Sequence, residues 1–330
     1  MELKKIGIQT GVRHNMLRGS TKNALEVFSA AVPGATLYVG PTMKEIAEQT
    51  DDLDMVIAGP EAFDEFGVDY ILKAPSLKWI QGWISGVDFI FNSGVIKKEG
   101  LRVSACRGVH ATSLSDHVIA FIYYYMRQFP AVMAARKAFD WDAGNNAPAD
   151  EAMAKTVGLV GLGNIGLEIA RKCHYLGFRV LAAKRNPIEC QWVEHCYPIT
   201  ELNKFLGECD YVVLILPHTP ESEGMMGKEQ FEAMKQNAVL INVARGAVVD
   251  EQALLEALDS GEIAAAALDA FSAEPLPVDN PIWSHEKIFM TYHMAARSSL
   301  IRDKAIDVLA ENLRRYDSGE PLLFEEVITK

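Results

Sequence analysis

A β-forming run at residues 156–160 leads straight into Gly161-Leu162-Gly163-Asn164-Ile165-Gly166, and helical spacing follows over residues 167–176. No other feature of the chain narrows its fold as far. Alone, such a glycine pattern is weak. Placed between a buried strand and a helix, its glycines have separate jobs: a tight turn, close approach of a pyrophosphate to backbone amides, and close packing of helix on strand. The helix N-terminus then offers unpaired N–H groups and a partial positive charge to an anion. The competing reading, a glycine-rich turn without a ligand, is outweighed by this strand-turn-helix setting. Gly161, Gly163, Asn164, Ile165 and Gly166 are therefore the candidate contacts for a dinucleotide.

The rest of the chain repeats the theme, with short β-rich runs alternating with helical patterns, as in a parallel sheet wrapped by helices. Strands are expected at 5–9, 36–39, 54–57, 79–80 and 102–104, with helices at 21–31 and 43–49. A second set is expected at 156–160, 178–182, 211–216, 238–242, 263–268 and 288–291. A long helix is expected at 113–128, started by a capping pattern at Ser113 and Asp116 and ended by Pro130. Residues 139–150 read as a surface connection, and a last amphipathic helix is expected at about 298–316. At 330 residues the chain has room for two domains.

Charge excludes some partners. With 32 basic and 44 acidic residues the net charge is −12, which argues against nucleic acid. A small anion remains possible, because a few local cations can reverse the sign inside a cleft. Apolar runs such as 118–126 and 211–217 are too short for a membrane span, and no signal peptide is visible behind Met1, so a cytoplasmic, membrane-free protein is expected. The five cysteines are an odd set without a disulfide framework, in keeping with a reducing compartment. Cys190, His195 and Cys196 lack the paired spacing of a zinc site and read as ordinary thiols beside an imidazole, so no metal is expected.

Next comes cofactor choice. Sites for NAD usually carry an acid at the end of the second strand, where it meets the ribose 2′-hydroxyl. Here that strand ends in Lys184-Arg185-Asn186-Pro187. Two cations suit a 2′-phosphate, and Arg can hold it bidentately. NADP(H) is expected to be preferred, with NAD(H) possible, against the plainer reading of a solvated loop end.

Downstream, three strand ends carry reactive side chains: Arg245 in 242–246, Asp269 and Glu274 in 268–277, and His293 in 291–296. Open α/β sheets place ligands at such ends. A strand-end Arg beside a glycine can grip a carboxylate and an adjacent carbonyl with its forked donors. A lone strand-end His is more often structural. The case lies in the joint placement of these groups beyond the glycine loop.

The runs GLGNIG, NVARGAVVD, LDAFSAEPLP and TYHMAA together resemble the D-isomer-specific 2-hydroxyacid dehydrogenase family. The likeness is dense over 108–296; residues 77–81 with 85–88 resemble the family's substrate loop, and 107–110 with 116–117 the start of its coenzyme domain. The resemblance implies two Rossmann-like, doubly wound parallel-sheet domains with a cleft between them. Residues 1–108 and 297–330 would form the substrate domain and 109–296 the dinucleotide-binding domain, and a homodimer would form through the latter. The apolar, Tyr-rich face of 118–126 fits such an interface, and fits an internal core helix equally well.

The resemblance also implies roles. His293 would protonate the carbonyl oxygen as hydride arrives, with Glu274 favouring the charged imidazole. Arg245 would bind the substrate carboxylate, helped by amides near Ser85 and Gly86. Asp269 would meet the nicotinamide end of the cofactor, with Pro217 and Ala244 beside it. Tyr292 stands where the family usually has Pro, Ala296 where Gly or Ser is common, and Asp116 where Glu is usual. Because 83–88 has no cation, a phosphorylated acid is disfavoured and a glyoxylate- or hydroxypyruvate-like 2-keto acid leads. Bulkier or pyruvate-type keto acids, with Trp83 or Tyr292 lining a wider pocket, come second. A dinucleotide-sensing, corepressor-like binding protein is the alternative of another class.

Overall fold

The computed structural model describes residues 3–12, 17, 20–84 and 86–326. They form thirteen strands. In chain order these are β1 Lys5–Gln9, β2 Thr36–Gly40, β3 Met55–Ala58, β4 Trp79–Gly82, β5 Arg102–Ser104, β6 Thr156–Val160, β7 Arg179–Lys184, β8 His195–Pro198, β9 Tyr211–Leu214, β10 Val239–Asn242, β11 Ala265–Leu268, β12 Ile288–Met290 and β13 Glu325–Glu326. The chain divides into two compact units, Met1–Val109 with Ser298–Lys330, and His110–Arg297.

The first unit is a six-stranded sheet in the order β13-β5-β4-β3-β1-β2, parallel except for the antiparallel edge strand β13. Its inner strands are apolar on both faces, as helices on both sides of a parallel sheet require; Ile6, Ile8, Met55, Val56 and Ile57 are all fully buried. The end of the chain is tied in by one buried amide. Asn312, in helix Ile301–Ser318, donates from Nδ2 to Gln81 Oε1 (2.7 Å) and Leu323 O (3.0 Å), and its Oδ1 accepts from Leu323 N (2.7 Å). Trp83 is not a pocket residue in this unit. Its side chain is 2% exposed within the core, and Nε1 donates to Gln9 O at 2.8 Å.

The second unit is a seven-stranded, all-parallel sheet in the order β12-β11-β10-β9-β6-β7-β8. Two core layers flank it. One includes Phe205, Phe231 and Leu254, the other Val118, Phe121, Ile122 and Ile169.

Several expectations change. The long helix spans Ala111–Met126, and the Ser113/Asp116 cap does not form: Ser113 Oγ donates to His110 O (3.1 Å) and Asp116 pairs with Lys172 Nζ (2.5 Å). Its apolar face is core, with Val118, Phe121, Ile122 and Met126 buried. Pro130 opens a helix rather than closing one. The break falls at Gln128, whose φ of 56° is left-handed, and helix Phe129–Lys137 starts beyond it with Pro in its first turn. The 139–150 connection contains a short helix, Trp141–Asn145, because Asp140 Oδ1 caps Ala143 N at 2.9 Å. Among the described residues, no helix is long and apolar enough to cross a membrane.

Candidate active site

The second sheet reverses its winding between β6 and β9: the chain leaves β6 toward β7 and β8 on one side, and β9 starts a run to β12 on the other. Loops diverge at the carboxyl ends of such a pair and leave a crevice. The glycine loop sits there. Gly161 has φ of 106°, and a Cβ on it would stand 2.7 Å from Ile215 O in the loop after β9. Any larger residue would therefore meet both backbone strain and a clash. A Cβ on Gly166 would lie 2.5 Å from Gly161 O, so this glycine lets the helix close on the turn.

Gly163 has nothing within 4 Å of where its Cβ would stand. It is the N-cap of helix Asn164–Tyr175, and no side chain caps that end. Asn164 is exposed on the first turn, and Ile165 packs on the core beside it. The free N–H groups and the helix dipole favour an anion there.

Beside this turn lies a cavity of about 490 Å³ whose lining includes Gly163, Lys184, Arg185, Pro217, Thr219 and Glu221. Lys184 Nζ donates to Leu162 O at 3.4 Å, and Arg185 Nη2 lies 3.6 Å from Glu221 Oε2. Both partners of the second pair are largely exposed, so the pairing is weak and its guanidinium can be recruited by a stronger anion. Thr219, which hydrogen-bonds Glu221, holds that carboxyl below the usual range, with its own backbone amide and Arg185 adding to the effect. The donor set and the open helix end fit a nicotinamide dinucleotide.

The three reactive loops leave neighbouring parallel strands β10, β11 and β12, whose ends are in register at Asn242, Leu268 and Met290. Adjacency in the sheet thus gathers segments distant in sequence. The loops also touch. A Cβ on Gly246 would fall 1.8 Å from Phe271 C, so only glycine allows the Arg245 loop to lie against the 271–272 backbone. Glu274 joins that turn to the next: Oε1 accepts from Phe271 N (3.0 Å), and Oε2 lies 2.6 Å from His293 Nδ1. The carboxylate fixes Nδ1 as the protonated ring nitrogen and leaves Nε2 to exchange a proton with a ligand.

His293 itself has φ of 50°, a left-handed conformation that costs about 1–3 kcal/mol for a residue with a Cβ. Its surroundings enforce it. His293 N donates to Asp269 O (2.8 Å), Met294 N to Asp269 Oδ1 (2.9 Å) and Ala295 N to Asp269 Oδ2 (2.9 Å). Thr291 Oγ1 adds a bond to Oδ1 at 2.5 Å. Asp269 is 2% exposed, and three of its roughly four acceptor sites serve the chain itself. The carboxylate expected to meet a cofactor is first of all the anchor of the 291–295 turn. Sequence reasoning missed Thr291 and His117 as members of this cluster.

Arg245 is exposed, and its Nη1 donates to Ala244 O at 2.8 Å, while Ala244 is itself buried. That leaves the other guanidinium donors for an external acceptor. Tyr292 is exposed beside Trp283, with ring centroids 6.1 Å apart. In the first unit Gly86 is exposed just past the end of β4, whereas Ser85 lies outside the described residues. His195 and Cys196 are consecutive on β8, and among the described residues no group of three acidic, His or Cys side chains could hold a metal.

Comparison with known proteins identifies this architecture. The family described as D-isomer specific 2-hydroxyacid dehydrogenase, NAD binding domain, matches residues 119–295. A glyoxylate reductase from Korarchaeum cryptofilum is 30% identical over 298 residues, covering 88% of each chain. A D-3-phosphoglycerate dehydrogenase from Methanocaldococcus jannaschii is 31% identical over 293 residues; the match takes in 88% of this chain but only 54% of that longer protein. A crystal structure of a D-isomer specific 2-hydroxyacid dehydrogenase from Xanthobacter autotrophicus Py2, in complex with NADPH and MES, superposes with a TM-score of 0.79 at 26% identity. The match covers 99% of this chain and 98% of that one.

Proposed function

Since the chain belongs to the D-isomer-specific 2-hydroxyacid dehydrogenase family, we propose that it reduces a small, unphosphorylated 2-keto acid of the glyoxylate or hydroxypyruvate type to the D-2-hydroxy acid, with NADP(H) preferred. The observation that carries this reading is the imidazole of His293, held through Nδ1 by Glu274 at 2.6 Å, at the mouth of a nucleotide-type sheet. The dinucleotide, when bound on the Gly161–Gly166 turn, supplies the hydride. Nε2 of His293 then gives a proton to the carbonyl oxygen, and Glu274 offsets the charge on the ring before that proton leaves. The forked donors of Arg245 hold the substrate carboxylate and draw electron density from the neighbouring carbonyl. The absence of a cation from 83–88 supports an unphosphorylated substrate. The Korarchaeum glyoxylate reductase, similar over nearly its whole length, supports a small one.

Lys184 and Arg185 support the cofactor preference, as does the NADPH in the Xanthobacter structure. The test is one steady-state experiment. Across a panel of 2-keto acids, glyoxylate and hydroxypyruvate should give the highest kcat/KM, with NADPH at least about tenfold better than NADH. The paired change Lys184→Ala with Arg185→Ala should lower kcat/KM for NADPH about 10²-fold, at roughly 1.5–3 kcal/mol for a hydrogen bond to a charged group, and leave NADH within about threefold. A wild-type preference for NADH would overturn the cofactor assignment. Binding of dinucleotide with no turnover of any keto acid would favour the sensor reading instead.

Assembly as a homodimer is supported by the segment after the 111–126 helix, where Phe139 is 96% and Trp141 83% exposed beside exposed Met133 and Phe129. Sedimentation equilibrium should give twice the chain mass, and Trp141→Glu should shift it toward monomer. A wild-type monomer at micromolar concentration would refute this.

A further inference from the structure

We propose that Thr291 and His117 are positioning residues for the His293 turn, acting through a hydrogen-bond relay from His117 Nε2–H to the Thr291 hydroxyl to the Asp269 carboxylate. This rests on His293 being the proton donor proposed above.

Proton accounting gives the relay its direction. Asp269 Oδ1 already accepts from Met294 N, and Oδ2 from Ala295 N, so the carboxylate faces its neighbours as an acceptor. The Thr291 hydroxyl, 2.5 Å from Oδ1, must therefore spend its single proton on that bond. Its oxygen is left to accept, and His117 Nε2 stands 3.1 Å away. Nε2 of His117 must carry a hydrogen, which selects one tautomer of the neutral ring.

Packing keeps the imidazole in place. His117 lies edge-on to Phe121, with centroids 4.4 Å apart and planes at 72°, and Phe121 is buried in the core layer that flanks the sheet. Burial pushes the His117 ring below its ordinary pKa, opposed by Asp269, so near neutral pH it acts as a neutral donor.

The relay thus joins helix Ala111–Met126 to the turn after β12. Without it, Asp269 would keep the backbone bonds to 294 and 295 but lose the side-chain support at 291, two residues before His293. A His in a left-handed conformation is sensitive to that loss, because the chain relaxes toward φ below zero once its restraints weaken. Small displacements of a reacting group carry large rate costs.

The tautomer is read first, on the wild-type protein with NADPH bound, by long-range ¹H–¹⁵N correlation of the histidine rings. His117 should show the Nε2–H pattern; an Nδ1–H pattern would overturn the proposal without any variant. Thr291→Val should lower kcat by about 10- to 100-fold, leave the NADPH Kd within about twofold, and release His117 into a mixture of tautomers. Thr291→Ser, which keeps the hydroxyl, should restore most of kcat. His117→Phe, which keeps the ring packing but removes the donor, should lower kcat in the same direction. Wild-type kcat in Thr291→Val would overturn the proposal. Failure of the proton-donor reading is separable, since it would appear as retained turnover in a His293 variant while the His117 tautomer stayed as described.

Discussion

Replacing His293 by Ala is expected to lower kcat for the proposed keto-acid reduction by about 10²–10⁴, the usual range for loss of a general acid, and to leave the coenzyme Kd within about twofold. The structure separates the two effects. The imidazole contacts Glu274 through Nδ1 and belongs to the turn after β12, whereas the dinucleotide turn lies after β6. Folding should survive the change. His293 is exposed, so no cavity opens, and the bonds that hold the 291–295 turn run through backbone N–H groups and Thr291, which Ala at 293 leaves intact. Steady-state kinetics with calorimetric coenzyme binding checks both halves. Turnover near the wild-type level would mean that the proton comes from another group.

Removing the guanidinium of Arg245 is expected to cost as much. Two charge-assisted bonds to a substrate carboxylate, at roughly 1.5–3 kcal/mol each, correspond to about a 10²–10⁴-fold fall in kcat/KM for the keto acid in Arg245→Ala. Arg245→Lys should recover only part of it, because an ammonium lacks the planar fork. The coenzyme Kd should stay unchanged. Stability should change little, since the arginine is exposed and its Nη1 donates to its own neighbour, Ala244 O. An Ala variant with wild-type KM would place the carboxylate on some other donor.

Both fold and site were legible in places for physical reasons. Buried parallel strands must be apolar on both faces, so runs such as Met55–Ala58 and Tyr211–Leu214 stood out, and the glycine turn announced its own strand and helix. The β8 strand was not visible because His195-Cys196-Tyr197-Pro198 sits at the sheet edge and is only partly buried. Ser113 and Asp116 looked like a cap because spacing alone cannot show that Lys172, 56 residues away, holds the acid.

Arg245, Glu274 and His293 could be singled out in the sequence as candidates by their joint placement beyond the glycine loop and by the resemblance. The pairing of Glu274 with His293 at 2.6 Å then followed from adjacent strands in register. What could not be read was the support beneath them. Asp269 has the composition of a ligand contact, and only the fold shows its oxygens turned onto 291, 294 and 295. His117 enters through helix Ala111–Met126, 174 residues before Thr291, and no local pattern joins the two.

The most direct test is a crystal structure of the protein with NADPH and a 2-keto acid analogue that cannot be reduced. His293 Nε2 should lie within about 2.6–3.2 Å of the analogue's carbonyl oxygen, the reach required of a general acid, with both forks of Arg245 on its carboxylate. A carbonyl oxygen lying beyond the reach of His293, or a carboxylate held without Arg245, would contradict the proposed mechanism.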